Sequence, residues 1–173
     1  DYGGLNVSGT QTISGGRYDY INLNGDDHLI LNPGLYCLYG SLQTNGNQTL
    51  EVNPDARMNQ GVTIYMAAGD ILLNGNSNVR LRAPAIYQPP AIKGLLIYMP
   101  PSNPGVITLT GAEDSWFQGT VYAPTGAINV GGSVDIYYSS EFVGNTVYVN
   151  GSAVINITDD GMLNYTRPPM IEL

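Results

Sequence analysis

The chain has 173 residues, 43% of them apolar, which is enough for one domain (1–173) with a substantial buried core. Six basic against fourteen acidic residues leave a formal net charge of −8, and Lys93 is the sole lysine. Such a surface is repelled by phosphate backbones and anionic membranes, which excludes nucleic acid as a partner.

Twenty-two Gly, eleven Pro and thirteen Tyr, with few helix-forming runs, are the palette of strands and turns, so an all-β fold is expected. No stretch approaches the eighteen consecutive apolar residues of a membrane span, and no secretory leader pattern opens the chain, which as given is expected to be soluble. Cys37 has no second cysteine to pair with, and its alternating neighbourhood, LYCLY, marks it as a small buried hydrophobe.

Along the chain one phrase returns: apolar, any, apolar, small polar or Gly, then Gly. It reads LNVSG at 5–9, INLNG at 21–25, LQTNG at 42–46 with Thr44 in an apolar slot, and ILLNG at 71–75. It then reads ITLTG at 107–111, INVGG at 128–132 and VYVNG at 147–151. The closing glycines lie 16, 21, 29, 36, 21 and 19 residues apart, a unit near twenty with two lengthened intervals. A period in this range signals a solenoid.

Each phrase is preceded by a strand that tends to open on Gly, as at Gly61, Gly94 and Gly119. It is followed by a third alternating run, at 28–31, 49–52, 78–81, 133–136 and 153–157. Three short strands per unit, with corners at Asn and Gly where a positive φ is tolerated, predict a parallel β-solenoid, a triangular β-helix. Six or seven coils over residues 5–157, at a strand spacing of about 4.8 Å, make a rod about 35 Å long, followed by a tail at 158–173. Ile71, Leu73, Ile107, Leu109, Ile128, Val130, Val147 and Val149 are expected to stack inward. An antiparallel sandwich also has short strands and frequent turns, but it does not require one phrase to return in register.

Insertions fall at 53–60, 82–93 and 100–104, the first two at the same corner of successive coils, so they are expected to be neighbours. Pro-rich loops on a rigid scaffold either carry function or simply cover its side. Tyr39, Tyr65, Tyr98 and Tyr122 each follow an inward apolar residue and are expected to form an outward ladder. Exposed tyrosines grip sugar rings or a protein partner, and they also brace a sheet with no ligand at all. The candidate binding set is Tyr65, Tyr98 and Tyr122 with Tyr87, Arg82 and Lys93 of the longest insertion, where most of the scarce cations meet an otherwise acidic wall.

Catalysis of the kind many triangular β-helices perform on acidic polysaccharides needs clustered carboxylates for Ca²⁺ and a strong base. The acidic pairs Asp26–Asp27 and Glu113–Asp114 sit about three coils, roughly 14 Å, apart, and read with Asp159–Asp160 as turn chemistry. Arg80 and Arg82 have no acidic cluster nearby in sequence, and His28 reads as a strand-edge side chain. One His and one Cys assemble neither a triad nor a zinc site, so no catalytic residue, metal or cofactor is expected.

The stretch GTVYAPTGAINVGGSVDIYYSSEFVGNTVYVNGSAVINI, residues 119–157, resembles the β-helical surface domains of bacterial pilus-associated proteins, those like the Tad/Flp pilus-assembly protein G and type IV pilus accessory proteins. The match is a Gly, apolar, Tyr, Ala, Pro strand, an apolar phrase ending Gly-Gly, a further strand and a second Gly-terminated phrase. It covers about forty residues; the upstream repeats agree in style. Such proteins begin with a hydrophobic membrane segment that this chain lacks, which suggests an excised or processed ectodomain.

The resemblance implies an extracellular or cell-surface role with pilus or envelope proteins, or surface polysaccharide, as partners, and no catalytic residues to carry over. The leading reading is a non-enzymatic structural or adhesive surface module. A carbohydrate-binding domain, a subunit that self-polymerises through the solenoid ends, and an acidic-polysaccharide lyase stand as alternatives. Five N-x-S/T sequons, at Asn6, Asn47, Asn150, Asn156 and Asn164, arise readily by chance in Asn-rich turns.

Overall fold

The computed structural model describes residues 1–132 and 136–151, and the backbone of 155–157. The tail at 158–173, with Asp159–Asp160 and the Asn164 sequon, lies outside the described residues, as do the side chain of Asn156 and the first residues of the runs predicted at 133–136 and 153–157.

Eighteen strands and no helix make up the described chain. In order they are β1 (Gly4–Asn6), β2 (Thr10–Ile13), β3 (Gly16–Tyr18), β4 (Tyr20–Gly25), β5 (His28–Leu31), β6 (Gly34–Leu38), β7 (Leu42–Gly46), β8 (Thr49–Val52) and β9 (Val62–Met66). There follow β10 (Ile71–Leu73), β11 (Asn78–Arg82), β12 (Leu95–Tyr98), β13 (Val106–Leu109), β14 (Trp116–Gln118), β15 (Thr120–Gly132), β16 (Ile136–Ser139), β17 (Phe142–Gly151) and β18 (Ile155–Ile157). Their ladders are all parallel, and each strand pairs mostly with the one three places on, the arrangement of a β-solenoid.

The pairing sorts the strands into three stacks. The phrase face holds β1, β4, β7, β10, β13 and the second halves of β15 and β17. The tyrosine face holds β3, β6, β9, β12 and the first halves of β15 and β17. The return face is β2, β5, β8, β11, β14, β16 and β18. β15 rounds the corner without losing its pairing to β17, apart from a register shift between Ala123 and Ala127, and so joins the first two stacks into one sheet.

All seven repeats of the phrase align. Their leading residues form one column, Leu5, Ile21, Leu42, Ile71, Ile107, Ile128 and Val147. Ile21 through Ile128 are buried and interlock with the inward residues of the other faces in a single core. Side chains alternate sides along a strand, so in-register parallel pairing stacks like on like. Thr44 occupies an apolar slot at little cost because its hydroxyl donates to Asn74 O (3.0 Å) and accepts from Asn74 N–H (3.0 Å). The corner at Gly46 needs glycine: its φ is 131°, and a Cβ there would lie 3.0 Å from Gly25 O.

One expectation is corrected in this core. Val147 and Val149 continue the inward columns but are 41% and 55% exposed, because β17 is the last rung of its face among the described residues and is packed from one side only. In the coil of β15 the strand after the phrase is β16 over Ile136–Ser139, with Ile136, the last residue of the run predicted at 133–136, buried together with Tyr138.

Tyrosines also fill the interior. Buried Tyr18 and Tyr36 stack with ring centroids 6.1 Å apart, the exposed Tyr2 covers Tyr18 at 4.9 Å, and Phe117 stacks on Tyr138 at 5.2 Å. Their hydroxyls reach backbone carbonyls at the corners, Tyr18 to Ser14 O (2.7 Å), Tyr36 to Asn32 O (2.7 Å) and Tyr138 to Leu109 O (2.9 Å). Burial first, and Tyr2 second, push the Tyr18 phenol up to about 12, and burial likewise raises Tyr36 and Tyr138.

Replacing Ile128, fully buried in the phrase column, with Ala should cost about 2–5 kcal/mol in denaturant unfolding, whereas Asn129→Ala on the outward side should cost about 0.5 kcal/mol or less. Equal costs would show the register to be misread. The raised phenols predict alkaline instability with a definite sign: the fold favours neutral Tyr18, so this stability is complete below the ordinary tyrosine pKa near 10 and is lost as pH rises through about 12. The melting temperature should hold from about pH 7 to 9 and fall between about 10 and 12, with the fall reduced in Tyr18→Phe; an unchanged profile in that variant would contradict the assignment.

Candidate functional site

On the tyrosine face the register places Tyr65 beside Tyr98 and Tyr98 beside Tyr122, with Ile64, Ile97 and Val121 pointing inward between them. The rings stack at centroid separations of 5.7 Å for both pairs, with planes inclined by 22° and 14°. Tyr98 therefore has a neighbour on each side, and the row offers solvent mainly ring edges, hydroxyls and the outer faces of the end rings.

Tyr39 does not belong to this row. β6 pairs Cys37, not Tyr39, with Tyr65, because Tyr36 and Leu38 take the inward slots that Ile64 and Met66 fill in the next coil. Tyr39 lies beyond the strand end, half exposed, with the Arg17 guanidinium 4.1 Å over its ring. By the same register Cys37 is not a core residue: it is half-buried on the outward column, and desolvation raises its thiol pKa.

The insertions at 53–60 and 82–93 lie side by side. Ala85 N–H donates to Asn59 O (2.9 Å), and the Gln88 amide makes two bonds with the Gly61 backbone (2.9 and 3.1 Å). Arg82 turns toward the shorter loop and away from the tyrosines: its Nε donates to Gln60 O (2.6 Å) and its Nη2 to Arg57 O (3.2 Å). Burial lowers the pKa of this guanidinium, and its bonds to carbonyls make it a loop clamp.

The longer loop then folds back across the tyrosine face. Buried Thr63 pins it, its hydroxyl donating to Leu95 O (2.8 Å) and accepting from Ile92 N–H (2.9 Å). Tyr87 stands 86% exposed on this loop, and Lys93 is exposed beside Ile92. The third insertion is tied into its corner by buried Asn103, which donates to Met66 O (3.1 Å) and Gly69 O (3.1 Å).

Between this loop and the row of rings runs an open groove of about 580 Å³. It is lined by Ile92 of the loop and by two columns of the tyrosine face, Leu95, Thr120 and Glu141 along one and Tyr98, Tyr122 and Val143 along the other. Of these seven, the sequence reading named only Tyr98 and Tyr122 and missed Ile92, Leu95, Thr120, Glu141 and Val143. Val143 is the register partner of Tyr122, so counting one coil onward from Tyr122 would have found it and its neighbour Glu141. A second hollow of about 420 Å³ lies nearer the N-terminal end, against Arg17, Leu35, Cys37 and Pro90.

Several other charged side chains are engaged within the scaffold. Glu51, which sequence distance hid from Arg80, lies one rung away on the return face and accepts from Arg80 Nη1 (3.4 Å) while its other oxygen meets His28 Nε2 (2.8 Å). Asp27 accepts the N–H groups of Gly9 (2.8 Å) and Asn24 (3.1 Å), holding its turn. Among the described residues no three His, Cys, Asp or Glu side chains are grouped to hold a metal.

Compared with known proteins, the chain matches no family model, no curated protein and no solved structure.

Proposed function

We propose that this chain is a non-enzymatic structural or adhesive module of a cell surface, tied to a pilus or to the envelope, and that it engages its partner through the tyrosine face. The observation that carries the reading is the groove beside the Tyr65, Tyr98 and Tyr122 row, where aromatic edges, apolar walls and one carboxylate converge under a loop pinned to the scaffold. Concave surfaces with aromatic and apolar walls and a few polar groups are where ligands and partners are held. The likeness of residues 119–157 to pilus-associated β-helical domains supports an extracellular setting.

The scaffold suits such work. Parallel coils with one continuous core hold outward side chains at fixed spacing, so a contact row stays flat and ordered without a partner to order it. Of the six residues predicted to bind, Tyr65, Tyr98 and Tyr122 belong to the row, Tyr87 and Lys93 to the loop that borders it, and Arg82 serves by holding that loop in place.

Pull-down from whole cells, envelope fractions and surface polysaccharide, using native protein and a Tyr65→Ala, Tyr98→Ala, Tyr122→Ala variant that retains its β circular dichroism, tests this reading. Binding should fall at least about tenfold in the variant, the loss expected when clustered aromatic anchors are removed. Undiminished binding by the folded variant would remove the tyrosine face from consideration and turn attention to the ends of the rod.

A further inference from the structure

The groove's chemistry is more selective than its shape. Rings in the middle of a stacked row cannot offer their faces to a ligand; Tyr98 has Tyr65 on one side and Tyr122 on the other. Tyr122 ends the row, and the next position in its column is the shorter Val143, which lines the groove with it. Among the described residues no ring is stacked on the outer face of Tyr122, which is bordered by Val143 and by the exposed carboxylate of Glu141.

Among the described residues Glu141 is the only charged one lining the groove, and Thr120 Oγ1 lies 3.4 Å from its Oε2. Among the described residues no cation lines the groove: Arg82 is bound to carbonyls of the loop at 53–60, and Lys93 stands exposed on the bordering loop. The apolar lining comes from Ile92, which is exposed, and from the buried Leu95 beneath it, the register partner of Thr120.

An apolar wall leading to an aromatic face and a carboxylate matches one kind of group, a long aliphatic stem ending in a cation. Resting on the reading that the tyrosine face is the binding surface, we infer that the Tyr122 end of the groove receives a lysine or arginine side chain from a basic segment of a partner protein. The stem packs on Ile92, and the cation sits between the Tyr122 ring and Glu141. The net charge of −8 draws such a segment in over longer range. An acidic polysaccharide meets the wrong sign here, and a neutral one leaves the carboxylate without a charged partner.

The test is an NMR titration of the full chain with three probes: a tetralysine peptide, a tetraglutamine peptide of the same length, and maltohexaose. Tetralysine should saturably shift the amides of Thr120, Tyr122, Glu141 and Val143, and tetraglutamine should not. Glu141→Gln should weaken tetralysine about fivefold, the scale of one partly exposed charge contact, while Asp55→Asn, a loss of equal charge on the neighbouring loop, should change it less than twofold. On the native protein, tetramethylammonium chloride should displace tetralysine more effectively than sodium chloride at equal ionic strength.

Equal weakening by the two variants, or equal displacement by the two salts, would reduce the effect to net charge and overturn the inference. Shifts with maltohexaose but not tetralysine would overturn it in favour of a sugar ligand while leaving the tyrosine face as the binding surface. No shift with any probe would also overturn it, and the envelope pull-down with the triple-alanine variant would still decide the broader reading independently.

Discussion

The architecture depends on parallel strands pairing residue for residue, so that each coil presents the next with a copy of its own inner surface. One column runs from Leu5 through Ile21, Leu42, Ile71, Ile107 and Ile128 to Val147, and a slip of a single residue would turn every one of those side chains outward. Where the neighbouring inward column of Leu23 and Leu73 takes a polar residue, at Thr44, the corner of the next coil supplies its hydrogen bonds. Where a coil differs in length, the surplus is expelled at a corner, and inner register is preserved. The insertions at 53–60 and 82–93 are therefore adjacent outside the rod, clamped to each other by Arg82 and Gln88.

The same constraint builds the outer surface. A register that stacks Ile64 on Ile97 and Ile97 on Val121 necessarily stacks Tyr65 on Tyr98 and Tyr98 on Tyr122, so core and contact row are two sides of one pattern. The row ends where the next coil carries Val143 in place of a ring, and the groove opens at that break. The proposed function thus rests on an interruption in the repeat, made on a scaffold too regular to rearrange around its partner.

The repeat is what made the fold legible. A phrase recurring near every twenty residues, with runs of alternating residues before and after it, carries strand number, direction and inward side together, and the runs at 28–31 and 49–52 coincide with β5 and β8. Legibility failed where identity and geometry part company. Tyr36 sits inside because its hydroxyl reaches Asn32 O at a corner, and local pattern alone cannot separate it from an outward tyrosine, so Cys37 and Tyr39 were assigned to the wrong columns. Short strands such as β3 and β14 carry too little alternation to stand out alone. Glu51 beside Arg80, and Glu141 beside Tyr122, are one coil apart in space but 29 and 19 residues apart in sequence, a relation that appears only when residues are counted by coil.

The register itself is the claim on which the rest stands, and paired cysteines measure it most directly. In a Cys37→Ser background, Leu72→Cys with Thr108→Cys places two outward residues on facing positions of β10 and β13, about 4.8 Å apart. Leu72→Cys with Asn129→Cys spans two rungs, about 9.6 Å, beyond the roughly 7 Å limit for a disulfide. Mild oxidation should close an intramolecular disulfide in the first pair and leave the second reduced. A bridge in the second pair, or none in the first, would contradict the stacked-coil account.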